Sequence, residues 1–368
     1  MKTQTPGITI PSDLLPGDGR FGCGPSKVRP EAIAALDEVA TSYLGTSHRR
    51  DGVRSVVGRI RSGMTELFNL PDGYEVLLGN GGATLFFDAA AYGLIEQRSQ
   101  HLVFGEFSSK FADSATAPHL QAPEVIKADP GSHPAAVANP DVDVYAMTQN
   151  ETSTGVAMPI KRPDAGGLVA VDATSAAGGA RVDPAEFDCY FFSPQKAFAG
   201  DAGLWVALCS PAAIERIGSI GGSGRYVPPI LSLPIALENS RLNQTYNTPA
   251  LASLLFIADT TEWMNENGGL EWATGRCDET SGILYDWAGA SEFAMPFITD
   301  PAKRSHTVAT IDFVAEVDAG AVASTLRANG IVDTEPYRKL ARNQLRIACF
   351  PAVEPGDMRR LTESIDYI

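Results

Sequence analysis

Hydrophobic positions fall into two successive patterns along the chain. Pro30 opens a segment with helical spacing that runs through Tyr43, proline being well placed in a first helical turn. Val53, Val57, Ile60, Met64 and Phe68 then share one face of a second helix from about residue 53 to 68. Leu70-Pro71-Asp72-Gly73 breaks it. Residues 1–20, rich in Pro, Gly and Asp, read as an extended arm with one short strand at Ile8-Thr9-Ile10.

From Glu75 the period changes. Short, almost wholly apolar strands are expected at residues 75–79, 101–104, 143–147, 168–171, 189–192 and 203–208, with a helix through Ile95 after the first. Such runs separated by helices imply an α/β fold whose mainly parallel sheet is covered on both faces. A turn-rich stretch at 221–234 precedes a helix from about 249 to 265 and the pair Gly268-Gly269. The remainder reads as a smaller α/β unit, with strands at 307–313 and 344–350 and helices at 319–329 and 355–367. The expected division is an arm (1–20) lying with the small domain, a large domain (21–270) and a small C-terminal domain (271–368).

Composition narrows the class. The 368 residues suggest about two domains, and 44% hydrophobic with 20% charged residues is a globular balance. No apolar run approaches the roughly 18 residues of a membrane helix, and Met1 to Gly7 has no apolar signal region. Lys and Arg total 29 against 44 Asp and Glu, a net charge of −15 that argues against nucleic acid or an anionic membrane as partner. Cysteines at 23, 189, 209, 277 and 349 are odd in number and widely spaced, which points to a reducing, cytoplasmic setting without disulfides or a zinc site.

Open parallel sheets bind ligands at the carboxyl ends of their strands. Those ends here carry Gly81-Gly82-Ala83-Thr84, Gly105-Glu106-Phe107, Asn150-Glu151-Thr152, Asp172-Ala173-Thr174 and Ser193-Pro194-Gln195-Lys196. Free N–H groups at the helix start after Gly82, with the Thr84 hydroxyl, would suit a phosphate, although glycines before a helix are more often a simple turn. The segment is neither a Walker A loop nor G-x-G-x-x-G. Asp172 and Lys196 end neighbouring strands and would face one cleft. A structural ion pair explains them at least as well as a pyridoxal phosphate site with a Schiff-base lysine, an aspartate on the pyridine nitrogen and the phosphate at the helix start. Phe107 could stack on a flat ring or be core. Thr152 and Gln195 could bond a cofactor or serve turns, and Asn247 and Thr248 have a capping role open to them.

Cations bear on the substrate. Ser47-His48-Arg49-Arg50 is one basic spot, and Arg338, Lys339, Arg342 and Arg346 form another. Solvated surface is the ordinary account, but Arg346 sits within an apolar strand, and a guanidinium matches carboxylate or phosphate in a bidentate way. Two arginine centres suggest a substrate with an anion at each end. The remaining histidines lack metal-ligand spacing, and no G-x-S-x-G elbow is present.

Together these motifs resemble the phosphoserine aminotransferase family, fold-type I transaminases dependent on pyridoxal 5'-phosphate, in its actinobacterial form. The resemblance runs from Phe21-Gly22-Cys23-Gly24-Pro25-Ser26-Lys27 to Arg346-Ile347-Ala348-Cys349-Phe350-Pro351-Ala352. Its most specific pieces are Gly45-Thr46-Ser47-His48-Arg49, Asn150-Glu151-Thr152-Ser153-Thr154-Gly155, Ser193-Pro194-Gln195-Lys196 and Tyr246-Asn247-Thr248-Pro249.

The resemblance implies that Lys196 carries the cofactor and shuttles the proton, with Asp172 on the ring nitrogen and Phe107 stacked on the ring. Thr152 and Gln195 would contact ring substituents or phosphate, and Ala83 and Thr84 the phosphate. Asn247 and Thr248 would reach the cofactor phosphate of the neighbouring subunit in an obligate homodimer. His48 and Arg49, also from the neighbour, would hold the substrate's distal anion, while Arg346, assisted by Arg342 or alternatively Arg338, would grip its α-carboxylate. The implied substrates are L-glutamate and 3-phosphohydroxypyruvate, in serine synthesis, with pyridoxine synthesis as a further role open to the family. A transaminase of the alanine–glyoxylate type and a catalytically silent dimer are the competing readings. The chain departs from many relatives in having Ala83-Thr84 for Gly-Arg and Phe107 for Trp.

Overall fold

The computed structural model describes residues 7–368. Its strands are β1 (Glu75–Asn80), β2 (Ser99–Val103), β3 (Glu124–Lys127), β4 (Val144–Thr148), the small hairpin β5 (Asn150–Glu151) and β6 (Val156–Ala157), β7 (Leu168–Asp172), β8 (Cys189–Phe192), β9 (Leu204–Cys209), β10 (Ala294–Pro296), β11 (Val308–Phe313) and β12 (Gln344–Ala348). Seven of them form the main sheet in the order β1-β9-β8-β7-β4-β2-β3. Every pairing from β8 through β3 is parallel, while β9 is antiparallel to both of its neighbours. The sheet is therefore mainly parallel and the architecture α/β.

Helices cover both faces: α1 (Pro30–Tyr43), α2 (Asp51–Leu67), α3 (Ala83–Gly93), α4 (Glu106–Ser114), α5 (Pro211–Gly222), α6 (Leu233–Arg241), α7 (Leu251–Glu266) and α8 (Gly269–Ala290). Alternation along each strand feeds two separate cores. Val169, Val171, Tyr190, Phe192, Leu204 and Val206 pack toward α1, α2 and α7. Their neighbours Leu168, Ala170, Cys189, Phe191, Trp205 and Ala207 pack toward α3, α4, α5 and α6. The unbroken apolar runs of the sequence are thus strands buried on both sides. No helix among the described residues is long and apolar enough to cross a membrane.

A second, three-stranded sheet in the order β10-β11-β12 packs with α9 (Ala319–Ala328) and α10 (Pro355–Tyr367) around a third core. Ile10 and Phe21 are buried in it. The expected strand at residues 8–10 does not form. Instead the Asn329 side chain takes both backbone groups there, accepting from Ile10 N–H at 2.9 Å and donating to the Ile8 carbonyl at 3.0 Å. The first six residues of the expected arm lie outside the described residues. The stretch read as turn-rich also differs: α5 runs on to Gly222, and Pro234 lies in the first turn of α6, where proline is tolerated.

Candidate active site

The parallel pairing of β7 with β8 puts Asp172 opposite Phe191, so the chain leaving β8 passes the carboxyl end of β7. Lys196 lies in the tight turn that follows, closed by Ala199 N–H to the Lys196 carbonyl and Gly200 N–H to the Pro194 carbonyl, both at 3.0 Å. A cleft of about 390 Å³ opens at these strand ends, a size suited to a small molecule. Ala83, Thr84, Phe107, Thr152, Asp172, Gln195 and Lys196 all line it.

Asp172 and Lys196 do not pair. Among the described residues no carboxylate pairs with Lys196, and its Nζ donates to the Cys23 carbonyl. Burial lowers the lysine from its ordinary 10.5 to about 8, with the Arg346 guanidinium adding repulsion. Burial raises Asp172 from 3.8 to about 6, against the pull of Thr174, whose N–H and hydroxyl donate to Oδ1 at 3.0 and 2.6 Å. No described group donates to its Oδ2. Two buried ionisable groups face one cleft without neutralising each other, so the structural ion pair is not formed. Gly24 makes the approach to Lys196 feasible. Its φ of +132° favours glycine, and a Cβ there would lie 2.5 Å from Lys196 Cε and Nζ.

The remaining wall follows from local hydrogen bonding. No side chain caps α3, whose first turn carries Ala83 and Thr84 at the cleft. An anion there would meet free N–H groups and the positive end of the helix. Gln195 Oε1 is buried without a partner, while Thr152 Oγ1 donates to Ser175 Oγ at 2.8 Å. Arg346 does not line the cleft itself but donates from Nη1 to the carbonyl of the lining residue Thr152 at 3.1 Å, and its buried Nε has no acceptor. Unpartnered donors and acceptors at a strand-end cleft fit a ligand carrying a protonated ring nitrogen, a phosphate and an adjoining carboxylate. Pyridoxal phosphate together with an amino acid would offer that one donor and those two anionic acceptors.

Other expected residues are elsewhere. Arg49 is exposed, its guanidinium held by Asn239, Gln244 and the Tyr246 carbonyl. Asn80 at the end of β1 fixes the nearby loop, accepting from Asn247 N–H and donating to the Thr248 carbonyl. His48, Arg49, Asn247 and Thr248 therefore belong to one surface and do not line this chain's own cleft. Burial and the neighbouring Arg49 lower the His48 pKa, and its Nε2 is buried without a partner.

Arg342 corrects an expectation. Instead of assisting Arg346, it pairs through Nε and Nη2 with Asp312 and lies 4.2 Å over the Phe297 ring. Asp312 sits opposite Gln344 in the sheet register, so a guanidinium two residues earlier meets that carboxylate first. Lys339 likewise pairs with Glu106. The group that does face Arg346 is Tyr337, whose ring lies 5.3 Å from the guanidinium and 6.1 Å from Phe107. Sequence reasoning missed Tyr337, because nothing in the residues 335–340 marks it apart from loop.

Comparison with known proteins identifies the family. The family model for class-V aminotransferases matches residues 21–334. Phosphoserine aminotransferases of Rhodococcus jostii and Rhodococcus opacus are each 58% identical over 100% of this chain and 98% of their own. The solved phosphoserine aminotransferase of Cytophaga hutchinsonii superposes with a TM-score of 0.86 at 25% identity, over 95% of this chain and 99% of that one. That of Trichomonas vaginalis, solved with pyridoxal phosphate bound, has the same fold, with a TM-score of 0.80 at 18% identity over 95% and 99%. The chain belongs to the class-V aminotransferase family, in its phosphoserine aminotransferase branch.

Proposed function

We propose that this chain transfers an amino group between L-glutamate and 3-phosphohydroxypyruvate, giving O-phospho-L-serine and 2-oxoglutarate with pyridoxal phosphate as cofactor. The observation that carries the reading is the buried amine of Lys196 beside the buried, unneutralised carboxylate of Asp172. When bound, the cofactor supplies a conjugated ring that accepts electrons from the substrate Cα. Lys196, disposed by burial to give up its proton, would hold the cofactor, and its free amine would move the substrate Cα proton. Asp172 holds the proton on the ring nitrogen, which keeps the ring electron-accepting. Phe107 forms one wall for the ring, Ala83, Thr84 and Gln195 take its phosphate and ring substituents, and the unpartnered Nε of Arg346 receives the α-carboxylate.

The site is completed by a second copy. His48, Arg49, Asn247 and Thr248 share a surface outside their own cleft, and the apolar Leu242 and Tyr246 are exposed beside them. In a homodimer these residues would enter the partner's cleft, Arg49 and His48 at the distal anion and Asn247 and Thr248 at the cofactor phosphate. We keep the division into an arm (1–20) lying with the small domain, a large domain (21–270) and a small one (271–368) as part of this reading. Ile10 in the third core supports the arm's place, while Phe21 in that core and Ala273 and Ile298 in the first cross the bounds. We assign the enzyme to the cytoplasm and to serine synthesis, with a phosphorylated pyridoxine precursor as a further acceptor to be assayed.

An absorbance spectrum of protein mixed with pyridoxal phosphate is the direct test. A near-visible band is expected that glutamate bleaches and 3-phosphohydroxypyruvate restores. Restoration by pyruvate or glyoxylate instead would indicate the alanine–glyoxylate type, and no band at all would remove the transaminase reading. Arg49→Ala is expected to slow both half-reactions by about 10²-fold, since glutamate's side-chain carboxylate and the phosphate share one charge-assisted contact. Single-turnover rates for each half-reaction check this, and loss confined to glutamate would reject a shared site.

A further inference from the structure

The Glu151 carboxylate is fully buried and has no part in the chemistry above. Among the described residues no cation pairs with it. Instead it gathers donors. Oε2 accepts from Ser108 N–H and Ser108 Oγ, each at 2.9 Å, and from Phe107 N–H at 3.1 Å. Oε1 accepts from Ser153 Oγ at 2.7 Å and Ser153 N–H at 3.2 Å. The Ser153 hydroxyl accepts in turn from Glu106 N–H at 3.1 Å. Three consecutive amides in the first turn of α4 are thus taken by residues 151 and 153. These are the N–H groups a helix cannot satisfy internally, and a negative charge is favourable at that end.

The clamp is tight. A Cβ on Gly105 would stand 2.3 Å from Glu151 Cγ, so only glycine allows the two segments to approach this closely. Both segments carry cleft residues. Phe107 is the second residue of α4, and Thr152, next to Glu151, lines the cleft and offers its carbonyl to Arg346. Ser108 strengthens the join, its hydroxyl accepting from Phe104 N–H and Gly105 N–H at 3.0 Å while donating to Glu151.

We propose that Glu151 is a positioning residue: it locks the first turn of α4 onto the 150–153 segment and so fixes the Phe107 ring against the cofactor. This rests on the reading that Phe107 stacks on pyridoxal phosphate. The carboxylate acts through hydrogen-bond acceptance. Glutamine has nearly the same shape, but its NH₂ would confront a backbone N–H that cannot turn round.

The test is a double-mutant cycle in the full-length holoenzyme, with Glu151→Gln, Phe107→Ala and the double variant. The readouts are the pyridoxal phosphate dissociation constant and the visible circular dichroism of the bound cofactor. E151Q is expected to weaken cofactor binding about tenfold, as loss of a charged hydrogen bond would, and to diminish the dichroic band. Amide exchange at Phe107 and Ser108 in the apoenzyme should rise by a similar factor. In the F107A background, E151Q should add less than about twofold. A full tenfold addition would overturn the proposal, because Glu151 would then act independently of the ring. So would an unchanged dissociation constant in E151Q when F107A alone weakens binding. An F107A variant with unchanged cofactor binding would instead sink the stacking reading, and this proposal with it. Should E151Q fail to fold, Ser108→Ala removes one donor only and should show the same non-additivity at about threefold.

Discussion

Replacing Lys196 with alanine is expected to lower turnover by at least about 10⁴-fold while leaving the fold and subunit association intact. Among the described residues Lys196 is the only amine lining the cleft, so no described neighbour can take over attachment or proton transfer. The substitution costs little stability for a definite reason. A buried lysine whose pKa falls from 10.5 to about 8 resists being charged, by about 3 kcal/mol at pH 7. Removing it relieves that penalty, which offsets the lost packing of its methylenes. In the wild type, the unfolded chain holds more protons between pH 8 and 10.5, so this residue's penalty fades and stability rises as pH increases through that window. Lys196→Arg should be as inactive as alanine, because guanidinium keeps its proton at any working pH. Turnover, size-exclusion elution and the near-visible band measured on one preparation check these expectations. An active Lys196→Ala enzyme would remove the assignment.

Much of this site was legible because parallel sheets put their chemistry at strand ends. Asp172 and Lys196 could be paired from the apolar runs that precede them, and the structure brings both to one cleft. What sequence could not supply was the partner of each charge. Arg342 looked available until the register placed Asp312 within its reach. Glu151 looked like one more polar residue of a strand end, because three of its five donors come from another segment. The same non-local satisfaction hid α4, a serine-rich helix whose first turn is capped by that carboxylate. The 22-residue helix α8 escaped for a different reason. Its buried positions include Ala273, Thr274, Cys277, Thr280 and Ser281, small or polar residues that leave no apolar stripe to read. At the arm, alternating Ile8 and Ile10 suggested a strand, but a strand needs a partner, and one asparagine side chain had already taken the backbone groups.

Asp172→Asn should separate stability from function at a single position. In the folded apoenzyme burial holds this carboxyl's pKa near 6, against 3.8 for an ordinary aspartate. Between those values the folded state binds more protons than the unfolded one. Stability therefore falls as pH rises from about 4 to 6, by about 3 kcal/mol in total, and the full penalty persists above that. Asparagine has no charge to desolvate. The D172N apoenzyme is thus expected to be the more stable form at pH 8, by up to about 3 kcal/mol, and to match the wild type near pH 4. Denaturant titrations at the two pH values and equal protomer concentration would read this directly. With the cofactor bound the order should reverse, since only the carboxylate can neutralise a protonated ring nitrogen, and a ligand stabilises the state that binds it. Turnover should fall by about 10³-fold or more, the loss expected when a buried counter-charge is removed from the developing electron sink. A D172N enzyme that kept its turnover would free Asp172 from the proposed role. If its apoenzyme were no more stable at pH 8, the carboxylate would not be the destabilised, waiting group that its burial implies.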